Sequence, residues 1–179
     1  MSKLDLNNFK LELSKISLDK TICHAMCQSD YKALNFDAIV KKYCSKLGKP
    51  KLCFNDALMK QKDCKWLFVE FKNGTFESED IRNKINESLL VFNDVVEAYT
   101  LEEDRENLNF ILVYNNVVYP EPEDVRKSES LSEIQKRISL KSGSQFIEFG
   151  IERFKGLYFK NVYSMTEEEF IDYLNLNVV

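Results

Sequence analysis

The sequence is poor in the two residues that build flexible linkers. It contains only 5 glycines and 3 prolines in 179 residues, and it has no repeat or low-complexity tract. A chain of this length, 44% hydrophobic and 12% aromatic, can bury one substantial core but hardly two. We therefore expect a single domain over residues 1–179, with a core at about 30–118 and a C-terminal extension over 119–179.

Long apolar runs are also missing. No uncharged apolar stretch reaches the roughly 18 residues that a membrane span requires. The N-terminal segment MSKLDLNNFKLELSK is polar and amphipathic, without the apolar centre of a secretory signal. The sequence therefore predicts a cytoplasmic protein with no membrane partner.

Soft metal ligands are few. The sequence has one histidine and five cysteines, and this odd number fits reduced thiols better than disulfides. The segment CHAMC contains Cys23, His24 and Cys27, but a zinc site needs a fourth ligand and the other cysteines show no paired spacing. Buried thiols are the preferred interpretation. Neither GxGxxG nor GxxxxGK[ST] occurs, so the sequence offers no glycine-rich phosphate loop.

Positive charge is not in excess. The net charge is −4, which counts against a nonspecific polynucleotide binder. One segment, KKYCSKLGKPK over residues 41–51, is nevertheless rich in lysine and free of acids. It is either a local basic patch or a solvated helix end followed by a loop, since lysines favour a helix C-terminus.

Hydrophobic periodicity predicts an alternation of helices and strands. Helices are expected over 5–16 and 31–44, with Gly48 and Pro50 stopping the second helix. The next elements predicted are an antiparallel hairpin of 52–60 with 65–73, a helix over about 79–95, and a strand near 108–114 parallel to one hairpin strand.

The C-terminal third carries weaker signals. Pro120 and Pro122 mark a loop, and residues 130–140 and 156–163 predict a short helix and a strand. A final helix over SMTEEEFIDYL is expected to begin with a capping box, in which Thr166 is the cap and Glu169 lies three residues later.

The segment KWLFVEFKNG, residues 65–74, places charge in an apolar strand. Side chains alternate along a strand, so Glu70 and Lys72 share one face. A buried carboxylate needs a compensating partner or a metal ion. Asp56 lies near the start of the preceding strand, and an antiparallel turn would bring it within one or two residues of Glu70 across the ladder. Two carboxylates and a lysine are thus expected to converge.

Asp56, followed by Glu70-Phe71-Lys72 on the next strand and then by a helix and a strand, resembles the PD-(D/E)xK nuclease superfamily. The resemblance covers roughly residues 30–118 and implies an α/β, restriction-endonuclease-like fold, a mixed sheet with flanking helices. It implies that Asp56, Glu70 and the Phe71 carbonyl bind Mg²⁺ or Mn²⁺, and that Lys72 positions or helps to activate water. Such oxygen ligands suit a hard divalent ion in phosphodiester hydrolysis.

The sequence departs from the superfamily pattern at several positions. Asn55 stands where proline is usual, and the acid that many members supply from an N-terminal helix is either Glu12 or Asp37. On the helix after Lys72, Arg82 and Lys84 are candidates for phosphate contacts.

Two functions remain open from the sequence. One is a metal-dependent endo- or exonuclease acting on DNA or RNA. The other is a noncatalytic module of the same fold that binds a protein or a second copy of itself, as an accessory or regulatory protein of a bacterial defence or mobile-element system.

Overall fold

Eight β-strands occur in the part of the chain that the computed structural model describes, residues 4–50, 52–119 and 149–178. They are β1 (Lys10–Glu12), β2 (Leu18–Asp19), β3 (His24–Ala25), β4 (Lys32–Asn35), β5 (Ala57–Lys60), β6 (Trp66–Lys72), β7 (Leu108–Tyr114) and β8 (Asn161–Thr166). Six strands form one mixed sheet in the order β1-β4-β5-β6-β7-β8, while β2 and β3 form a separate pair. Neighbours are antiparallel from β1 to β6 and parallel from β6 to β8.

Five α-helices accompany these strands over the described residues. They are α1 (Leu13–Ile16), α2 (Phe36–Leu47), α3 (Ser78–Val95), α4 (Leu101–Asn107) and α5 (Glu167–Asn177). Two 3₁₀ turns, Leu6–Phe9 and Glu152–Phe154, complete the secondary structure. The expected α/β class with a mixed sheet and flanking helices is confirmed.

The sheet separates two apolar cores. On one face, α2 and α3 pack their apolar sides against alternate residues of β6 and β7, with Phe68 and Phe92 in edge-to-face contact at 5.3 Å. On the other face, α5 packs against the intervening residues, and Phe170 lies among them. Because β6 and β7 are covered on both sides, their near-continuous apolar sequences are explained.

The predicted hairpin and crossover are confirmed. β5 and β6 pair antiparallel with Ala57 opposite Val69, although β5 is shorter than the expected strand. Helix α3 then leads to β7, which pairs in parallel with β6 so that Leu108 lies opposite Trp66. These elements were predictable because their patterns are strong and local: the apolar residues of α3 recur with a helical period, and those of β6 and β7 form short, nearly continuous runs.

The helix expected over residues 5–16 is wrong. A 3₁₀ turn is followed by β1, which pairs antiparallel with β4, and only Leu13–Ile16 is α-helical. The side chain of Asp5 accepts a hydrogen bond from the Asn7 amide and so caps the 3₁₀ turn. Pairing with a distant strand outweighed a helical apolar spacing that spans too few turns to be stable alone.

The helix expected over residues 31–44 is partly wrong. Its first residues form β4, and α2 begins only at Phe36, after the side chain of Asn35 accepts a hydrogen bond from the Ala38 amide at 3.0 Å. The expected stop is confirmed, since α2 ends before Gly48, whose φ is +61°. The described lysines of 41–51 are exposed at this helix end and the loop after it, a placement that fits both interpretations of the segment.

The final helix is confirmed together with its capping box. Thr166 and Glu169 exchange the two reciprocal hydrogen bonds that define the box at the start of α5. The preceding strand, however, runs over Asn161–Thr166 rather than 156–163, because Gly156 has a φ of +72° in a turn. The helix expected over 130–140 and the loop expected at Pro120 and Pro122 lie outside the described residues.

The described helices bear on membrane insertion. Within residues 4–50, 52–119 and 149–178, no helix is both long and apolar enough to cross a bilayer.

Candidate metal and catalytic centre

The predicted site residues meet at the open end of the β5–β6 hairpin. Asp56 comes immediately before β5, and since Ala57 lies opposite Val69, Asp56 lies beside the residues of β6 that follow Val69. The Asp56 amide donates to the Val69 carbonyl at 3.1 Å and so joins the residue before β5 to β6. The structure thus brings Asp56 and Glu70 together as the hairpin register predicts.

Asp56 connects the backbone of β6 to a charged cluster. Its Oδ2 accepts a hydrogen bond from the Phe71 amide at 2.8 Å. A side chain, and not the backbone of β5, is therefore the partner of this amide, because β5 begins only at Ala57. Its Oδ1 lies 3.9 Å from the ammonium of Lys84 on α3. The side chain is 27% exposed, so one carboxylate of the pair reaches the surface.

Glu70 is the buried member of the pair, with a side chain that is 0% exposed. Its Oε1 accepts from the Lys84 ammonium at 2.5 Å and lies 3.4 Å from the ammonium of Lys72. Its Oε2 accepts from Nδ2 of Asn55 at 3.4 Å. Two cations and an amide therefore compensate this carboxylate, as a buried charge requires.

The pKa values of Asp56 and Glu70 are both raised above their ordinary values. Burial, followed by the charge of Asp56, raises the pKa of Glu70 to about 7 despite the nearby lysines. Burial also raises the pKa of Asp56, against the opposing effect of Lys84. Burial alone would lower the pKa of Lys84, but Glu70 and Asp56 raise it. Perturbed pKa values of this kind are frequent at functional sites.

A cleft opens beside Asp56. Its volume is about 210 Å³, and Asp56, Phe71 and Asn73 form one side. The opposite side is residues 16–19 with Met26. Nδ2 of Asn73 donates to Asp19 at 3.2 Å. Asp56 is thus the carboxylate of the pair that lines this cleft, while Glu70 does not line it.

The structure separates the two candidates for the N-terminal acid. Asp37 lies in the first turn of α2, and its charge contributes to raising the pKa of Asp56. The Phe36 amide donates to the Asp56 carbonyl at 3.0 Å, which places the start of α2 next to the site. Glu12 lies on the edge strand β1 and pairs with Lys15 at 2.8 Å. Asp37 is therefore the nearby acid.

Lys84 is the site residue that the sequence did not identify as such. It was expected to contact phosphates together with Arg82, but its ammonium points to Glu70 and Asp56 instead. A signal existed, because Lys84 lies between Ile81 and Ile85, both 0% exposed, on the buried side of α3.

Among the described residues, no metal-ligand group of three or more side chains forms around the CHAMC segment. Nε2 of His24 lies 3.0 Å from both carboxylate oxygens of Glu167, and Cys23 is exposed. Cys27 is buried, and burial raises the pKa of its thiol to about 12. All five cysteines are free, as expected, but the interpretation as buried thiols holds only for Cys27 and Cys44.

The donor set at the hairpin end suits a hard divalent ion in its chemistry. Among the described residues no group of three or more His, Cys, Asp and Glu side chains is placed to hold a metal, but the predicted set needs only two carboxylates and a backbone carbonyl. Each residue of a strand directs its own N–H and its own C=O to the same side of the strand. Because the Phe71 amide donates to Asp56, the Phe71 carbonyl also faces the Asp56 side. Oδ1 of Asn55, beside the pair, is buried and has no hydrogen-bond partner among the described residues.

The fold and this centre define a mixed α/β protein with two carboxylates and two lysines clustered at a hairpin end. Comparisons with protein-family models, curated proteins and solved structures gave no match.

Proposed function

We propose that the protein is a metal-dependent nuclease whose centre consists of Asp56, Glu70 and Lys72, in a fold related to the PD-(D/E)xK superfamily. One observation carries the proposal: two carboxylates with raised pKa values converge from adjacent strands, and one of them opens on a cleft. Two neighbouring carboxylates repel each other, and a divalent cation bound by both relieves this repulsion.

Asp56, Glu70 and the Phe71 carbonyl would hold Mg²⁺ or Mn²⁺. When bound, the ion polarises a phosphodiester and lowers the pKa of a water molecule. Asp56 is oriented for this task by the Phe71 amide, which fixes Oδ2 and leaves Oδ1 directed to the cluster. Glu70 supplies a second negative charge from the buried side.

Lys72 supplies positive charge at the rim of the centre. Its ammonium lies 3.4 Å from Glu70 and 5.8 Å from the ring centroid of Phe76, and its side chain is 20% exposed. An ammonium that is partly desolvated in this way stabilises charge that develops on a phosphate oxygen or on attacking water. This is the role that the superfamily resemblance implies for Lys72.

The substrate we propose is a nucleic acid strand that presents one phosphodiester to the Asp56 cleft. A volume of about 210 Å³ accommodates a phosphate with its immediate neighbours rather than a whole duplex. DNA and RNA are both included in this proposal, because each carries the phosphodiester on which the centre would act.

Hydrolysis of labelled oligonucleotides tests the proposal. Single- and double-stranded DNA and RNA would be incubated with the protein and Mg²⁺ or Mn²⁺, with chelated samples as blanks. The matched control is Asp56→Asn, which keeps an acceptor for the Phe71 amide but removes the charge. We expect metal-dependent cleavage by the wild type and none by the variant. Equal cleavage by both would assign the activity to a contaminant.

A second candidate function is a noncatalytic binding module of the same fold. The observation that favours it is the complete burial of Glu70 together with its 2.5 Å contact to Lys84, because such a pair can serve structure alone. Absence of cleavage and of divalent-ion binding in the wild type, with a large loss of stability on removal of Lys84, would favour this candidate. Its partner would then be a protein or a second copy of the chain.

A further inference from the structure

Lys84 occupies the position between the two carboxylates of the centre. Its ammonium lies 2.5 Å from Oε1 of Glu70 and 3.9 Å from Oδ1 of Asp56. The side chain is 24% exposed and extends from α3, whose apolar side fixes the helix against the sheet. The Asn55 amide also donates to the Ser88 hydroxyl at 2.8 Å, one helical turn further along α3.

The second lysine of the cluster is placed differently. Lys72 approaches only Glu70, at 3.4 Å, and comes from the same strand as that carboxylate. Lys84 alone, among the described residues, has its ammonium within 4 Å of both acids. A cation that contacts both carboxylates takes the place where an ion bound by both would lie.

We propose that Lys84 is a resident cation that competes with the divalent metal for Asp56 and Glu70. The inference rests on the proposed function, because it concerns the metal site named there. It assigns Lys84 the role of a positioning residue that compensates the buried pair when no ion is bound and raises the ion concentration at which the centre fills.

The competition follows from distances and charge. Divalent ions bind carboxylate oxygens at about 2.0–2.6 Å. The Lys84 ammonium already lies 2.5 Å from Oε1 of Glu70, so an ion bound to that oxygen would meet it. Two like charges a few ångströms apart repel strongly in a partly buried site. Lys84 has a flexible stem and a partly exposed side chain, so it can withdraw towards solvent when an ion enters.

Calorimetric titration with Mn²⁺ tests the inference through binding rather than activity. The variant is Lys84→Met, which keeps the length of the side chain and removes the charge. Lys15→Met, at the Glu12 pair on β1, is the control for loss of one positive charge elsewhere. Titrations at pH 8.5 stay above the pKa of Glu70, which is about 7. We expect Lys84→Met to bind Mn²⁺ about tenfold or more tightly than the wild type, and Lys15→Met to bind like the wild type.

Two further variants keep the result decisive. Lys84→Arg retains the charge and should bind Mn²⁺ as weakly as the wild type. Lys84→Gln removes the charge but can still donate a hydrogen bond to Glu70, so it replaces Lys84→Met if that variant does not fold. If the wild type binds Mn²⁺ and both neutral variants bind it equally or more weakly, the inference is overturned while the proposed metal site is kept. Absence of Mn²⁺ binding in the wild type and in every folded Lys84 variant overturns the proposed function itself.

Discussion

Glu70, which is fully buried, lies beside Asp56 at the open end of the β5–β6 hairpin, and the charge of Asp56 adds to burial in raising the pKa of Glu70. This relationship couples protonation, metal binding and stability in one pair of side chains. Each property can be measured separately, because the two acids and the two lysines come from different positions of the fold.

Stability should fall as the pH rises through the range in which Glu70 ionises. The pKa of Glu70 is raised from an ordinary 4.5 to about 7, so the folded state binds more protons than the unfolded state between these values. The linked stabilisation is complete below pH 4.5 and is lost as the pH rises through 7, and its size is on the order of 3 kcal/mol. Urea unfolding at a series of pH values measures it. In Glu70→Gln this part of the slope should disappear, and an unchanged slope would contradict the assignment.

Glu70→Gln should weaken divalent-ion binding while the fold persists. Glutamine keeps the shape of the side chain but removes one of the two proposed anionic ligands, so affinity for Mn²⁺ should fall by about tenfold or more. Calorimetry gives the affinity, and circular dichroism confirms the fold. Glu12→Gln, at the edge strand β1, is the control that removes a carboxylate elsewhere. Equal affinities in the two variants would exclude Glu70 as a ligand.

Lys72→Ala should separate catalysis from structure. If Lys72 acts on the phosphate or the attacking water, the rate of hydrolysis falls about 10²–10³-fold, while metal binding stays nearly intact. If it is only a structural partner, the change appears as lost stability, about 1–2 kcal/mol for a pair between the exposed and buried extremes. Cleavage assays and thermal melting of the same preparation distinguish these outcomes.

Lys84→Ala should destabilise the protein more than Lys72→Ala. It removes the 2.5 Å contact to Glu70 and the compensation of Asp56 together, and we expect a loss of about 2–3 kcal/mol, somewhat below that for a fully buried pair. Denaturant unfolding at pH 8 measures the difference. A smaller loss for Lys84→Ala than for Lys72→Ala would show that Lys72 is the main partner of Glu70.

Asp37→Asn should affect the centre, and Glu12→Gln should not. The charge of Asp37 adds to the negative potential at Asp56, so its removal should weaken Mn²⁺ binding by about two- to threefold through Coulomb attraction alone. Titrations at low and high salt add a check, since the difference should shrink as salt screens the charge. If the Mn²⁺ affinity of Asp37→Asn at low salt equals that of the wild type, the charge of Asp37 does not act on the centre.

The parts of the fold that sequence patterns predicted correctly are those with a long, clear period. The β5–β6 hairpin, helix α3, strand β7 and the capping box of α5 were expected, because alternation, helical spacing and the cap residues are local properties. The short N-terminal elements were not, because their apolar residues fit a helix and a strand equally well. Pairing of β1 with β4, in which Lys10 lies opposite Leu34, 24 residues further along the chain, decided between them.

The sequence by itself determined that Asp56, Glu70 and Lys72 would converge, because a two-residue alternation and a short turn leave little freedom in where their side chains lie. Only the tertiary structure decided that Lys84 stands between the two acids and that Asp37, not Glu12, lies nearby. The physical reason is that these relationships depend on how α2 and α3 pack on the sheet. That packing brings the Lys84 ammonium within 4 Å of both acids and the start of α2 next to Asp56, and no local pattern encodes such a placement.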